Sequence, residues 1–508
     1  LNLSEAATIA GMFQAPTYYK PDTNPENAEK RRSTVLYLMV RHGYITQEQA
    51  DIANSIPVAD LVVEQEASSE PYQGYADTVT KELNEVYNID PAKTPVEVYT
   101  NLDREKQNAV NSVMNGETYT WIDDKVQAGV TVLDSQTGKI LAIGAGRNRA
   151  AETWNYAVDN KRQPGSTAKP LFDYGPGIEY NNWSTYTLFD DAPYTYSNGR
   201  SIKNWDNGYF GTITLRRALS TSRNIPALKA FQQVDNKKIV EFVENLGITP
   251  EIENGKIHEA HSIGSFEPGV SSVEMAAAYA AFSNGGYYNK PHTIEKIVLR
   301  DTGEVIEFEG EKKKAMSDAT AFMISDVLQD VALTGGTPTN VAAKTGTTNF
   351  DEKTMEDYNM PGDAIRDSWV VGYSTKTVIA LWYGYNEIDK TGQYVLHNVP
   401  ATIAKDRIFN ALVSAGAMES NREAFTQPSS VVRLGIVEGS NPPVIAGAGY
   451  TGNIVYEYFK KGYEPEETDV SSIQLAKPGN LKVSYNESTG KVTLSWSAVN
   501  PGDNQGLG

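Results

Sequence analysis

The amino-acid sequence predicts an α+β fold in which an antiparallel sheet carries helices on its faces. Residues 130–143 have the pattern of a strand, a turn and a strand, and a largely helical stretch follows from about 166 to 285. Strand signals return in three apolar segments, 341–345, 368–373 and 378–383, of which the last two form a predicted hairpin. This order is typical of α+β proteins and not of alternating βαβ units, so we expect the first and last strands to meet in one sheet.

The length of 508 residues indicates two to four domains, and the composition is that of a globular protein. Hydrophobic residues make up 40% and charged residues 21%, which argues against a disordered or fibrous protein. The net charge of -19 would repel a nucleic-acid backbone. Cysteine is absent and the five histidines lack the spacing of a metal-binding motif. We therefore predict no nucleic-acid partner, no disulfide and no metal or other cofactor.

Two segments are predicted to precede the α+β domain. Residues 1–62 are predicted to be helical, with Asn2 or Ser4 as a cap and Pro25 just inside a second helix. Residues 63–125 are predicted to form a linker module that begins with a polar run and contains one short strand. No stretch reaches the roughly 18 apolar residues of a membrane-spanning helix, and the first residues lack the pattern of a signal peptide. We expect the chain to be a piece of a longer protein.

The predicted α+β domain covers residues 126–425, and two segments follow it. Residues 426–472 lack a clear pattern and are predicted to be a linker. Residues 473–508 contain two alternating segments, 481–485 and 492–496, on either side of a turn. Two strands are too few to fold alone, so we expect them to be the start of a β-rich module.

The first chemical motif is Ser166-x-x-Lys169, directly after a Pro-Gly pair where a helix can begin. On a helix, residues three apart share a face, so Lys169 Nζ can reach the Ser166 hydroxyl. A lysine deprotonates a serine only if burial or a second cation destabilises its ammonium. The pair would then be nucleophile and base. Taken alone, the spacing also fits a capping serine followed by a solvated lysine.

The second motif, Ser222-Arg-Asn224, presents a hydroxyl and an amide two residues apart, where a turn can point both the same way. Ser222 can relay a proton between Lys169 and a leaving amine, and Asn224 can hold a substrate amide. The alternative is an ordinary helix cap. Arg223, between the two, is compatible with facing either a groove or the solvent.

The third motif, residues 344–347, reads Lys-Thr-Gly-Thr and is predicted to lie on a buried strand. Gly346 has no side chain, which suits a place where a ligand must lie against the backbone. The edge of this strand can pair with an extended peptide. Lys344 would supply positive charge, and the Thr345 and Thr347 hydroxyls would bind a carboxylate.

The order of the motifs is more specific than any one of them. A similar run at 389–392 has no threonine after its glycine and lies in a polar stretch, so we interpret it as a hairpin turn. The remaining set, Ser-x-x-Lys, Ser-x-Asn and Lys-Thr-Gly, is typical of penicillin-binding proteins and class A β-lactamases, although the middle element here is Ser-Arg-Asn and not Ser-Asp-Asn.

Residues from about 126 to 425 resemble the transpeptidase domain of class A (bifunctional) penicillin-binding proteins. Besides the three motifs, residues 204–216 and 275–286 are similar to stretches typical of that class. Residues 1–57, with their Gly-Met-Phe-Gln-Ala-Pro and Lys-Arg-Arg runs, resemble the C-terminal end of its glycosyltransferase domain, whose catalytic glutamates and membrane anchor would lie upstream. The resemblance therefore implies no glycosyltransferase activity for this chain. Residues 473–508 look like the start of a fibronectin type III module.

The resemblance implies a D,D-transpeptidase that cross-links peptidoglycan stem peptides through a serine acyl-enzyme and is acylated and inhibited by β-lactams. It implies catalytic roles for Ser166, Lys169, Ser222, Asn224 and Lys344, and substrate binding by Thr345, Gly346, Thr347 and Trp205. The backbone N–H groups of the nucleophile and of Thr347 would form an oxyanion hole. Stem peptides, β-lactams and the cell-division or elongation machinery are the implied partners, at the extracytoplasmic face of the cell membrane.

Three other readings share these motifs. A class A β-lactamase would need a water-activating glutamate in a Glu-x-x-Leu-Asn stretch, and none follows Asn224. A D,D-carboxypeptidase differs only in using water as the acceptor. A penicillin-sensing or wall-binding protein would be acylated without turnover. The aromatic residues Trp205, Tyr209 and Phe210 either line the groove or belong to the core.

Overall fold

The computed structural model describes residues 1–16, 18–62, 71–149, 153–388, 391–469 and 479–497. The chain divides into two units, Leu1–Glu70 and Pro71–Gly508. The polar run that begins the predicted linker, at 63–69, and residues 389–390 of the predicted hairpin turn lie outside the described residues. Within the described ranges, no helix is long and apolar enough to cross a membrane.

The first unit is helical, as predicted. It contains α1 (Leu3–Met12), α2 (Pro25–Arg41), α3 (Gln47–Asn54) and a 3₁₀ turn at Val58–Leu61. Asn2 caps α1 in a reciprocal capping box with Glu5, and Pro25 is the first residue of α2. Buried Arg32 donates from Nη1 to Ser4 Oγ at 2.9 Å and to the Ile56 carbonyl at 2.7 Å, which joins α1, α2 and the end of the unit. Its origin in a glycosyltransferase domain stays a prediction.

Helices and strands alternate irregularly along residues 71–425 of the second unit. In chain order they are α4 (Gln73–Glu85), β1 (Val96–Thr100), α5 (Arg104–Met114), β2 (Gln127–Asp134), β3 (Ile140–Gly144), α6 (Gly175–Asn181), β4 (Leu188–Asp191), β5 (Tyr194–Thr195), β6 (Ser201–Ile202), β7 (Gly211–Thr214), α7 (Leu215–Ser220), α8 (Asn224–Gln233), α9 (Asn236–Asn245), α10 (Ser272–Ser283), β8 (Tyr287–Asn289), β9 (Ile294–Leu299), β10 (Val305–Glu307), β11 (Lys312–Lys314), α11 (Asp318–Leu328), β12 (Ala342–Asn349), α12 (Glu352–Asp357), β13 (Ile365–Tyr373), β14 (Thr377–Gly384) and α13 (Asn398–Ala415).

A five-stranded antiparallel sheet in the order β12-β13-β14-β2-β3 forms the centre of this unit. The predicted hairpin β13–β14 is present, and β14 pairs with β2, so the prediction that the first and last strands meet is confirmed. Gly372 lies against the Phe409 ring of α13, whereas the next residue, Tyr373, contacts Tyr279 of α10 and bonds to Ser325 of α11. Because successive strand residues point to opposite faces, helices cover both faces of the sheet.

Residues 71–125, predicted to be a linker module, pack into the same hydrophobic core as the central sheet. The short strand was predicted correctly, and β1 pairs with β9 in a three-stranded sheet with β10. Tyr75 of α4 and Val110 of α5 are buried in the core that also contains Trp382. The Tyr75 hydroxyl donates to the Ile140 carbonyl at 2.7 Å. The domain boundaries themselves stay a prediction.

The prediction of a helical stretch over 166–285 is wrong in its middle. The short strands β4 and β7 pair with each other, as do β5 and β6, between α6 and α7. Strands of two to four residues are too short to show a period of two in a sequence, whereas the alanine-rich α10 was recognised by its composition. These short strands lie just before the second motif and bear on its geometry.

The sequence analysis also missed a small sheet after residue 425. The strands are β15 (Val431–Val437), β16 (Ile445–Ala446), β17 (Ile454–Lys460) and β18 (Thr468–Asp469), paired in the order β17-β15-β16-β18. A hairpin of β19 (Lys482–Asn486) and β20 (Lys491–Ser495) follows, as predicted. Residues 470–478 and 498–508 lie outside the described chain, and the type of module stays a prediction.

Candidate active site

The turn that carries Ser166 is not the α-helix that the spacing predicts. Residues Gly165–Ala168 form a 3₁₀ helix, and Pro170–Tyr174 form a π-helical turn directly after Lys169. Ser166 is partly exposed, whereas Lys169 is completely buried. In the described part of the chain, no hydrogen bond joins the Ser166 hydroxyl to Lys169 Nζ. The structure therefore places the two groups one turn apart without the direct contact that the sequence predicts.

Lys169 Nζ is bound instead by the second motif. It donates to the Ser222 carbonyl at 2.6 Å and to Asn224 Oδ1 at 2.8 Å, and it lies 3.3 Å from Ser222 Oγ. Asn224 Nδ2 donates to the Lys203 carbonyl at 2.8 Å. Both ends of the Asn224 amide are thus bound within the protein, so it orients Lys169 and is not free to hold a substrate amide in this state.

The third motif meets the other two at the Ser222 hydroxyl. Lys344 Nζ donates to Ser222 Oγ at 2.8 Å and to the Thr345 carbonyl at 3.0 Å. Ser222 Oγ therefore lies between two lysine nitrogens, that of Lys169 after the Ser166 turn and that of Lys344 on β12. A hydroxyl is both donor and acceptor, so this position can pass a proton between the two.

Burial and neighbouring positive charge disfavour the charged, ammonium form of both lysines. The pKa of Lys169 is held well below its usual range, first by burial and then by the nearby Lys344. Burial, with a smaller contribution from Lys405 of α13, lowers the pKa of Lys344 to about 7. Lys169 is therefore more readily deprotonated than a solvated lysine, and the neutral amine is the form that can accept a proton.

Ser222 occupies the left-handed position that follows α7. Its φ is +58°, and the N–H groups of Ser222 and Arg223 bond back to the carbonyls of Leu219 and Ala218. This is a Schellman cap, in which the left-handed residue is usually glycine. A serine there costs of order 1–3 kcal/mol of backbone strain, and such strain collects at functional sites. Ser222 is thus part of a helix cap, at the C-terminal end of α7, and the catalytic role of its hydroxyl stays a prediction.

Arg223 faces neither a groove nor the solvent, which are the two positions that the sequence analysis considered. It is completely buried and bonds to Asp191 and Asp206. Asp191 and Asp206 carry no motif of their own, although Asp206 lies in a stretch, 204–216, that the sequence analysis had singled out.

Gly346 is required by the protein itself and not by a ligand, which corrects the interpretation from sequence. A Cβ atom at Gly346 would lie 2.4 Å from the Pro164 carbonyl oxygen and 3.0 Å from the Thr167 nitrogen. Conversely, a Cβ at Gly165, whose φ is +56°, would lie 2.6 Å from the Thr347 carbonyl oxygen. The two backbones approach so closely because both glycines lack side chains, and this contact fixes the Ser166 turn against β12.

The remaining predicted residues lie at the surface around this centre. Thr345 and Thr347 are partly exposed on β12, the edge strand of the central sheet. Trp205 is 70% exposed, and its Nε1 donates to the Thr221 carbonyl at 3.2 Å. Tyr209 and Phe210 are also exposed, so the core alternative for these aromatic residues is wrong. Substrate binding by these residues stays a prediction.

Comparisons with known proteins identify the family of the chain. Residues 128–408 match the family model for the penicillin binding protein transpeptidase domain. The chain belongs to the penicillin-binding protein transpeptidase family. The α+β fold predicted from the sequence is that of this family.

The most similar curated relatives include class A penicillin-binding proteins, as the resemblance predicted. The chain is 41% identical over 520 residues to Penicillin-binding protein 1A/1B of Bacillus subtilis, covering 98% of this chain and 56% of that protein. It is 35% identical over 461 residues to Penicillin-binding protein 1A of Streptococcus pneumoniae, covering 86% and 62%. The chain thus spans less than two thirds of the length of these relatives.

The fold is also shared with a solved structure, that of the PonA1 protein from Mycobacterium tuberculosis in complex with penicillin V. The TM-score is 0.59 at 22% identity, covering 71% of this chain and 96% of that one. At this identity the likeness shows the common fold.

The contact between Gly346 and the Ser166 turn predicts that Gly346→Ala is destabilising. The added methyl group must displace the Pro164 carbonyl, and overpacking of this kind costs typically 1–3 kcal/mol. Urea unfolding followed by tryptophan fluorescence measures the change. The matched control is Gly362→Ala, because Gly362 has open space where a Cβ would lie, and we expect a change within about 0.5 kcal/mol. Equal stability of the two variants would contradict the proposed packing.

The left-handed backbone of Ser222 predicts that Ser222→Gly is more stable than Ser222→Ala by about 1 kcal/mol. Both variants lose the same hydroxyl and its contacts with the two lysines, so their difference isolates the backbone conformation. Thermal unfolding of both variants measures it. If the alanine variant is the more stable one, the positive φ is not a source of strain.

Proposed function

We propose that the protein is a D,D-transpeptidase that cross-links peptidoglycan stem peptides through an acyl-enzyme on Ser166. The observation that carries the proposal is the position of Ser222 Oγ, 3.3 Å from Lys169 Nζ and 2.8 Å from Lys344 Nζ. The partly exposed Ser166 lies one turn before Lys169 in the chain. Membership of the penicillin-binding protein transpeptidase family supports it.

In the proposed acylation, the Ser166 hydroxyl gives its proton to the neutral Lys169 amine while its oxygen bonds to the carbonyl carbon of the penultimate D-Ala. Catalytic contacts that are long in a free enzyme commonly tighten when substrate binds. The backbone N–H groups of Ser166 and Thr347 would stabilise the developing oxyanion, at about 3 kcal/mol for each donor. The peptide C–N bond then breaks.

The terminal D-Ala leaves as an amine after receiving the proton from Lys169 through the Ser222 hydroxyl, which Lys344 orients. A stem-peptide amine next attacks the ester, forming the cross-linking amide, and its proton returns to the Ser166 oxygen as the ester bond breaks. The positive charge of Lys344 and the hydroxyls of Thr345 and Thr347 would hold the substrate carboxylate. Trp205, exposed beside the second motif, would line the groove.

The same site would react with β-lactams. Ring opening by Ser166 forms an equivalent ester, but the leaving nitrogen stays tethered and the acceptor cannot enter. The relative from Mycobacterium tuberculosis has been solved with penicillin V. By analogy with the class, the protein acts on the outer face of the cell membrane with the division or elongation machinery.

A D,D-carboxypeptidase and a penicillin sensor are the alternative functions, and they share the acylation step. Incubation with a stem pentapeptide separates the three. A transpeptidase yields cross-linked dimer, a carboxypeptidase yields free tetrapeptide, and a sensor yields a long-lived acyl-enzyme with neither product.

Ser166→Ala is expected to abolish labelling by a fluorescent penicillin, because it removes the oxygen to which the acyl group would be bonded. Mass spectrometry of the labelled wild-type peptide should find the adduct on Ser166. Ser220→Ala, two residues from Ser222 on α7, is the control and should be labelled like the wild type. An adduct on any other residue would refute the assignment of the nucleophile.

The rate of acylation is expected to rise and then fall with pH. Lys169 accepts a proton only when it is neutral, so the rate should rise as the pH passes the pKa of Lys169. Because that pKa is lowered, this acid limb of the profile should lie far below the usual lysine pKa of about 10.4. Lys344 has a pKa of about 7, so its charge, which attracts the penicillin carboxylate, is lost as the pH rises through that value. Rapid-quench measurements between pH 5 and 10 test both limbs.

Lys344→Arg serves as the control for this profile, since a guanidinium keeps its charge across this pH range. In this variant the fall in rate at high pH, the alkaline limb, should disappear. An acid limb near pH 10 in the wild type would contradict a lowered pKa of the base Lys169.

A further inference from the structure

Arg223 lies between the two functional residues of the second motif, and its guanidinium is fully bound inside the protein. Its Nε donates to Asp191 Oδ2 at 2.9 Å, its Nη1 donates to Asp206 Oδ2 at 2.8 Å, and its Nη2 donates to the Gly208 carbonyl. The Phe210 ring covers the guanidinium, with Cζ 4.0 Å from the ring centroid. Arg223 and Asp191 are both 0% exposed.

Asn204, just before Asp206 in the chain, binds the backbone at the end of the second motif. Asn204 Oδ1 accepts from the N–H groups of Asn224 at 2.8 Å and Ile225 at 3.3 Å, and Asn204 Nδ2 donates to Asp191 Oδ1 at 2.6 Å. The two oxygens of Asp191 therefore connect the Arg223 side chain to the residue that holds the start of α8. In the chain, Arg223 lies between Ser222 and Asn224, and the hydroxyl of the first and the amide of the second both contact Lys169.

The free-energy cost of burying these charges is high if their only role is to stabilise the fold. Burying a charged pair costs several kcal/mol per ion, and apolar replacements of buried pairs are often equally or more stable. Planar, multiply bonded guanidinium groups provide geometric precision that an apolar side chain cannot. The residue that needs such precision is the adjacent Ser222, which is held in the left-handed region between two lysines.

We propose that Arg223, clamped by Asp191 and Asp206, is the positioning residue of the active site: it holds Ser222 and Asn224 against Lys169. The inference rests on the proposed acyl-enzyme function and adds a residue that touches neither substrate nor nucleophile. It also explains why the middle residue of the motif is an arginine in this chain.

The arginine has a second, electrostatic effect on the base. The charged groups that act on Lys169 are Lys344 and Arg223, which lower its pKa, and Asp173 and Asp191, which raise it. Replacing Arg223 with a neutral residue removes one cation and leaves Asp191 without its principal partner. The loss of the cation raises the pKa of Lys169, so the acid limb of acylation would move to higher pH.

The test measures the second-order rate constant of acylation by a fluorescent penicillin between pH 5 and 10, with the full chain. Arg223→Lys keeps the charge but loses the planar fork, so we expect a rate at least tenfold lower with an unmoved acid limb. Arg223→Gln should be slower still, with its acid limb at higher pH. Asp206→Asn removes only the partly exposed arm of the clamp and should slow acylation severalfold.

Arg149→Gln is the matched control, because it breaks another largely buried ion pair, with Asp77, away from the three motifs. We expect its acylation rate to stay within twofold of the wild type. Thermal unfolding of every variant gives the folded fraction at the assay temperature, and rates are compared per folded molecule.

Wild-type rates per folded molecule in Arg223→Lys and Arg223→Gln would overturn the proposal, as would rates no lower than that of Arg149→Gln. If both arginine variants fail to fold, Asp206→Asn decides, and an unchanged rate in that variant overturns it equally. A wild type that is not labelled on Ser166 would instead refute the proposed function. Labelled wild type with unaffected variants would refute only the role of Arg223.

Discussion

The site depends on a buried lysine that has no ionised partner bonded to it. Lys169 Nζ is bound by a carbonyl, an amide oxygen and a hydroxyl, all of them neutral. Asp173, four residues along, is the nearest candidate for a counter-ion, but both its carboxylate oxygens are buried without a hydrogen-bond partner in the described structure. Burial raises the pKa of Asp173 well above its usual range, which disfavours its carboxylate form and so weakens its stabilisation of a Lys169 ammonium ion.

The turn that carries Ser166 is held in place by contacts of the sheet and of α10 to its backbone. The Trp369 indole donates to the Gln163 carbonyl at 2.9 Å, and the Tyr279 hydroxyl donates to the Thr167 carbonyl at 2.6 Å. Together with the close approach at Gly346, these contacts hold the turn on both sides of Ser166. Because β13, α10 and β12 each contribute, the position of Ser166 is a property of the folded core and not of the turn alone.

Much of this site was predictable from sequence, since three motifs that need one another chemically predict that their side chains converge, as they do at Ser222 Oγ. The meaning of Gly346 was not predictable: a sequence shows that a side chain is missing but not whether a ligand or the Pro164 carbonyl fills the space. Arg223 was missed for a related reason. Its partners Asp191 and Asp206 lie 32 and 17 residues upstream, and local patterns carry no information about pairing over such distances.

The small C-terminal sheet, which the sequence analysis predicted to be a linker, contacts α7, the helix that ends just before Ser222. Arg216, on α7, donates to Glu457 of β17 at 2.8 Å and to Asp326 of α11 at 2.6 Å. The same helix ends in the strained cap that presents Ser222, and Arg223 holds that cap from within. With both ends of so short a helix fixed by multiply bonded guanidinium groups, Ser222 has little freedom to relax toward an unstrained conformation. Residues beyond the matched 128–408 therefore belong to the support of the site.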